Sequence, residues 1–168
     1  VGSAIKNSGW KSPKNKNQKV VVSLAPADVK KEGPLFYLPI ALGYLIASDD
    51  VDVDKPLMKK RLFIGELSLD GQLRPIKGAL PITQMAKKKG FTEIFLPIEN
   101  AEEASNISGI KIYGADTLMD VIKHIGTSKK QSSAQNGEKT TNVIPHEEIE
   151  LYKAKKKIKK VRDVEIDF

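Results

Sequence analysis

The sequence predicts an α+β domain over residues 1–126, followed by a flexible basic tail over residues 127–168. Three observations predict it. Asp70-Gly71 stands between two apolar runs, the pattern of an antiparallel hairpin. From Phe91 onward, strand-like and helix-like stretches alternate, which suggests βαβ units. Leu35–Ser48 (LFYLPIALGYLIAS) is apolar almost all round, the composition of a helix buried on most sides.

Taken in order, Lys11–Lys19 is polar and reads as a loop, with Pro13 among alternating Lys and Asn. Lys19–Leu24 (KVVVSL) is β-branched and reads as a strand that Pro26 ends. Asp28–Pro34 is a polar loop punctuated by Gly33. Pro39 is tolerable only near a first turn, so the helix begins close to Leu38. Gly43 in mid-helix costs about 1 kcal/mol against Ala, which points to close approach of a neighbouring backbone. Asp49–Lys60 is a loop, acidic and then basic.

Leu62–Leu69 and Gln72–Ile76 are expected to pair around Asp70-Gly71, both turn residues taking positive φ. Gly78–Gly90 carries Ala79, Leu80, Ile82, Met85 and Ala86 at helical spacing. Pro81 sits near N1 and Gly90 where a C′ glycine belongs. Lys87, Lys88 and Lys89 fall in the last turn, where cations suit the helix dipole. Phe91–Ile98 is a strand. Asn100 is expected to cap a helix from Ala101 to Asn106, with Glu102 and Glu103 in its first turn. Lys111–Tyr113 is a strand. Asp116 is expected to cap a helix from Thr117 to His124. Ser128–Thr141 is rich in Ser, Gln, Asn, Gly and Lys and reads as a flexible linker. Lys129–Gly137 should lack regular structure, and Lys153–Arg162 should make few contacts with the domain.

The net charge of +7 invites a nucleic-acid reading, so its location matters. Residues 1–17 hold four Lys and no acid, residues 18–126 hold 14 basic and 14 acidic residues, and residues 127–168 hold 10 and 7. The excess therefore sits in the flanks, where it is either a solvated tail or a phosphate-binding one. There is no Cys, which excludes disulfides, thiolate metal sites and a Cys nucleophile and fits a cytoplasmic setting. The longest apolar run, Phe36–Ala47, is short of the roughly 20 residues that span a bilayer, so no membrane partner is expected. The chain begins with Val1, and its true N-terminus is expected to lie upstream.

No Gly-x-x-x-x-Gly-Lys-Ser/Thr loop occurs, so nothing here cradles a nucleotide phosphate. The two histidines, His124 and His146, are too few and too far apart for zinc. His124 reads as a helix-end residue meeting the dipole. Asp49, Asp50, Asp52 and Asp54 lack the Gly and Glu of a calcium loop. No catalytic, cofactor-binding or metal-binding residue is assigned.

LAPADVKKEGPLFYLPIALG (Leu24–Gly43) and FIGELSLDGQLRPIKGALPI (Phe63–Ile82) resemble the N-terminal domain of magnesium chelatase-like AAA+ ATPases, the competence protein ComM/YifB family. LPIENAEEA (Leu96–Ala104) and IYGADTLMDVIKHI (Ile112–Ile125) continue the match. The resemblance covers about Ser3 to Ile125. It implies a Lon-protease-like (ChlI-type, ribosomal S5 domain 2-like) fold, related also to the C-terminal domain of RadA, in a chain truncated at both ends.

The resemblance also implies where a protease pair would sit. Lon proteases carry a nucleophilic Ser just after a Gly-Pro pair and a Lys in the helix after the hairpin. Gly33-Pro34 is followed here by Leu35, and the Lys position falls on Ile82. A serine nucleophile needs a hydroxyl and a base within reach, and Leu35 and Ile82 supply neither. Ser68 and Lys77 lie close by in sequence but on the hairpin side. Tyr37 stands where the family usually has Asp, so any role of that Asp is lost.

The resemblance, with the pair missing, implies a non-catalytic accessory domain. It implies ATP and Mg only in the parent, an AAA+ module on the same chain, a homo-hexamer, and DNA as a candidate partner. The parent would be a DNA motor of helicase or branch-migration type serving natural transformation. Two other classes stand beside it: a chelatase-type remodelling subunit acting on a protein, and a residual peptidase.

Overall fold

Strands buried on both faces organise the chain, whose computed structural model describes residues 1–17, 19–23, 33–127, 130–132, 141–143 and 149. The elements are α1 (Gly2–Asn7), a 3-10 turn at Pro13–Lys16, a second at Pro34–Phe36 that runs into α2 (Tyr37–Ala47), β1 (Asp52–Val53), α3 (Lys55–Met58), β2 (Arg61–Phe63), β3 (Glu66–Leu67), β4 (Leu73–Arg74), α4 (Ala79–Lys88), β5 (Glu93–Pro97), α5 (Ile98–Ala104), β6 (Lys111–Ala115), α6 (Leu118–Ile125), β7 (Gly126–Thr127), β8 (Lys130–Ser132) and β9 (Thr141–Val143).

A parallel sheet of order β2-β5-β6 lies at the centre, with Arg61, Glu93 and Lys111 in register at its start. The predicted βαβ unit is β5-α5-β6. Ile94, Leu96 and Ile112 pack with Ala86 of α4 and Ala101 and Ala104 of α5. The alternate residues Phe95, Tyr113 and Ala115 pack instead with α1, α2 and α6. Because both faces of β5 are covered, all five of its residues are buried and its sequence reads as one apolar run. The fold is α+β, as the sequence predicts.

The hairpin is real but shorter than expected. Only Glu66–Leu67 and Leu73–Arg74 pair antiparallel. Leu62 and Phe63, expected within the same strand, instead pair parallel with β5 together with Arg61. The chain changes sheets at Ile64-Gly65, where a Cβ on Gly65 would meet Leu73 Cδ2 at 2.7 Å. The turn also differs. Ser68 N–H donates to Gln72 O (2.9 Å) and Gly71 N–H to Ser68 O (3.1 Å), enclosing a three-residue loop. Only Gly71 takes positive φ (89°), in place of the two such residues expected.

Other expectations are corrected by longer-range contacts. Lys19–Ser23 forms no strand among the described residues, and Val21 is 79% exposed. A strand needs a neighbouring backbone, and none of the described ones pairs with it. Gly43 is exposed on α2, and no backbone of another segment among the described residues comes within 4 Å of an added Cβ there. It borders an open groove of about 680 Å³ between α2 and residues 19–23. Helix α6 is capped by Thr117, not Asp116, through a capping box with Asp120. Asn100 lies inside α5, whose N-cap is Pro97. Within the expected linker, Lys130–Ser132 pairs with Thr141–Val143. Asp52–Val53, read as loop, pairs with Gly126–Thr127. Lys153–Arg162 lies outside the described residues.

Local signals elsewhere meet their expectations. Pro39 sits in the first turn of α2. Gly90 follows the C-cap Lys89 with φ of 85°.

Candidate functional site

Leu35 and Ile82, the two positions the resemblance implies, join one apolar cluster by different routes. Gly33-Pro34 leads into the 3-10 turn that carries Leu35. This turn is hooked to the β2–β3 corner: Gly65 N–H donates to Leu35 O (2.9 Å), and Leu38 N–H donates to Gly65 O (3.2 Å). Ile82 lies in the first turn of α4, its N–H donating to Gly78 O (3.1 Å). Both side chains are half-buried, and both pack against the apolar cluster of Ile64, Ile94, Leu96 and Ala101.

The polar groups nearest this place are engaged structurally. Asn100 is buried and binds the backbone of Ile76 twice: Ile76 N–H donates to its Oδ1 and its Nδ2 donates to Ile76 O, each at 2.9 Å. That clamp fixes the segment leading from the hairpin into α4, and so the position of Ile82. The sequence offered Asn100 only as a cap. An Asn that satisfies a distant backbone looks locally identical to one that caps a helix. Thr83, also buried, returns its hydroxyl to Ala79 O (2.7 Å).

Ser68 and Lys77 do not come together in a hydrogen bond. The Ser68 hydroxyl is held by the Asp70 carboxylate and lies 2.9 Å from Gln72 O, and Lys77 is exposed. The Ser68 hydroxyl first, then the Gln72 backbone N–H, hold the Asp70 carboxyl below its ordinary range.

A second polar constellation marks the start of the sheet. Arg61 Nε donates to Glu93 Oε2 at 2.6 Å, with both side chains nearly buried, and Lys111 Nζ stands 3.7 Å from Glu93 Oε1. The Arg61 guanidinium lies 5.5 Å from the centre of the Phe95 ring. Phe95 stacks between Phe63 and Tyr113 at 4.9 and 4.8 Å. His124, in the last turn of α6 as expected, meets both Phe95 and Tyr113 and accepts a hydrogen bond at Nδ1 from Ile149 N–H (2.9 Å). Among the described residues no group of three or more His, Asp or Glu is placed to hold a metal. No described helix is long and apolar enough to cross a membrane.

The fold and this apolar site define an α+β domain whose neighbouring polar side chains hold backbone. Its first 100 residues match the family described as subunit ChlI of Mg-chelatase, and the chain belongs to that magnesium chelatase-like family, with the ComM and YifB proteins.

It is 41% identical over 130 residues to competence protein ComM of Haemophilus influenzae, covering 77% of this chain and 24% of that protein. It is 31% identical over 97 residues to DNA repair protein RadA of Streptococcus pneumoniae (58% and 22%). It is 29% identical over 101 residues to Lon protease 2 of Bacillus subtilis (60% and 18%). The chain thus spans about a quarter or less of the length of these curated relatives.

Proposed function

We propose that this chain is a non-catalytic Lon-like accessory domain of an AAA+ ATPase, and that its parent is an ATP-dependent DNA motor. The observation that carries the first half is the joint packing of Leu35 and Ile82 on one apolar cluster, at the two positions where a Lon-type Ser and Lys would sit. Without a hydroxyl and a base there is no activated nucleophile. The second half draws on likeness to proteins named for competence and for DNA repair. In this reading the domain serves assembly, positioning or DNA contact. The parent is a cytoplasmic homo-hexamer that takes ATP and Mg through an AAA+ module on the same chain, and it drives branch migration.

The test compares the full-length parent with a version lacking this domain. Expected are DNA-stimulated ATP hydrolysis and branch migration in the first, and impaired branch migration with ATP hydrolysis retained in the second. Peptide hydrolysis by this chain, abolished by one Ser→Ala change, would overturn the non-catalytic half. ATP hydrolysis stimulated by a protein and indifferent to DNA would replace the motor with a chelatase-type remodelling subunit.

A further inference from the structure

Parallel strands all start at one end of their sheet, and here the chain delivers lysines to that end from three separate segments. Lys59 and Lys60 lead into β2, Lys87, Lys88 and Lys89 precede β5, and Lys111 opens β6. Neighbouring strands lie about 4.8 Å apart, so the starts of β2 and β6, on either side of β5, are separated by roughly 10 Å.

Backbone bonds tie these approaches together. Thr92 N–H donates to Lys60 O and Lys111 N–H to Thr92 O, both at 2.9 Å. Lys87 reaches the same end: its Cε lies 3.2 Å from where a Cβ on Gly109 would stand, two residues before Lys111. All six lysines are exposed.

Two acids on adjoining segments are already engaged. Glu93 is buried against Arg61. Asp54 accepts the Leu57 N–H as the cap of α3. Among the described residues Lys59, Lys60, Lys87, Lys88 and Lys89 form no ion pair. The helix dipole accounts for the three at the end of α4 taken alone. It does not account for Lys59, Lys60 and Lys111 arriving at the same edge. Residues 18–126 carry no net charge, so this edge is a segregation of charge within a neutral stretch of chain.

We propose that this end of the sheet docks the phosphate backbone of double-stranded DNA. The choice of DNA rests on the motor reading above, and the surface rests on the placement of charge. Single-strand binding relies on aromatic platforms for the bases. The aromatics two residues from these lysines offer no open platform: Phe91 is half-buried against the cluster around Ile94, and Tyr113 is buried. Contact is therefore to backbone alone, indifferent to sequence and steeply salt-dependent. Engaging all five unpaired lysines would give a log–log salt slope near −4.5, at about −0.9 per phosphate.

The experiment measures binding of a labelled random-sequence duplex to the whole chain across a salt series, by anisotropy. Lys59→Glu with Lys60→Glu, and separately Lys87→Glu with Lys88→Glu, should each weaken binding at least tenfold. Each pair should also flatten the slope by about two. Gln at the same positions should act in the same direction with a smaller effect, and the urea midpoint read from Trp10 emission separates lost binding from lost fold. Lys155→Gln, Lys156→Gln and Lys157→Gln in the tail should leave the effect of the ridge variants intact.

Unchanged affinity and slope in the ridge variants would overturn the surface. The motor reading would survive that result if the full-length parent still showed DNA-stimulated ATP hydrolysis, and would fall with it if the parent did not. Tighter binding of duplex RNA, or of an acidic polypeptide, than of duplex DNA would overturn the choice of partner.

Discussion

Replacing Arg61 by Met tests whether the start of the sheet is held by burial of a charge pair. The Arg61 and Glu93 side chains are 8% and 9% exposed, and their closest atoms are 2.6 Å apart. Without Arg61, the Glu93 carboxylate keeps only Lys111, at 3.7 Å on a side chain 58% exposed. Removing one member of a buried pair costs about 3–5 kcal/mol, because the other charge stays desolvated. Loss of the guanidinium over Phe95 adds about 0.5–1 kcal/mol. The remaining Lys111 returns at most about 1 kcal/mol, the worth of an exposed ion pair.

The expected cost of Arg61→Met is therefore about 3–5 kcal/mol, and that of Lys111→Ala under about 1 kcal/mol. Arg61→Met combined with Glu93→Leu should recover most of the loss, since apolar replacement of a whole buried pair is often near neutral. Urea unfolding followed by Trp10 emission reads all four chains. Trp10 is the single Trp and is 9% exposed within the cluster around α2. Equal costs for Arg61→Met and Lys111→Ala would refute the reasoning, because they would mean the Glu93 carboxylate is solvated. A double variant no more stable than Arg61→Met alone would refute the coupling.

Asn100→Ala should cost about 2–3 kcal/mol, since it leaves the Ile76 N–H and C=O without their partner, and Asn100→Asp should also destabilise in urea, because a carboxylate cannot donate to Ile76 O. Gly71→Val should cost at least about 1–2 kcal/mol in the same assay, from its positive φ, and more from collision of the new Cβ with Ser8 Oγ. The Asp70 carboxyl should titrate below the ordinary Asp range by NMR, and Ser68→Ala should bring it back up. Because the folded value is depressed, any stability it confers is present above the unfolded value and disappears as pH falls through the folded one. Leu35→Ser with Ile82→Lys should yield a less stable chain and no hydrolysis of a fluorogenic peptide, because an apolar cluster receives a Lys without a partner.

Signals carried within a few residues were legible from sequence. The glycine of Asp70-Gly71, Gly90 after α4 and the apolar spacing of α4 and α6 each act on their own stretch of backbone. That Leu35 and Ile82 would join one apolar cluster was not legible locally, because nothing in Gly33-Pro34-Leu35 or around Ile82 marks a shared destination. What was missed was partly local, the helices α1 and α3, the second inside a stretch read as loop, and otherwise non-local: the parallel pairing of Arg61–Phe63 with β5, the pairing of Lys130–Ser132 with Thr141–Val143, and the Asn100 clamp on Ile76.

By itself, then, the sequence determined the class of fold, the placing of the central hairpin and the bounds of α2, α4 and α6 to within a residue or two. Only the tertiary structure decided which extended segments became strands. A β-branched run such as Lys19–Ser23 pairs only where another backbone offers its N–H and C=O groups. Only the tertiary structure could make Lys60, Lys87 and Lys111 neighbours, because they converge through parallel strands that begin at one end of the sheet.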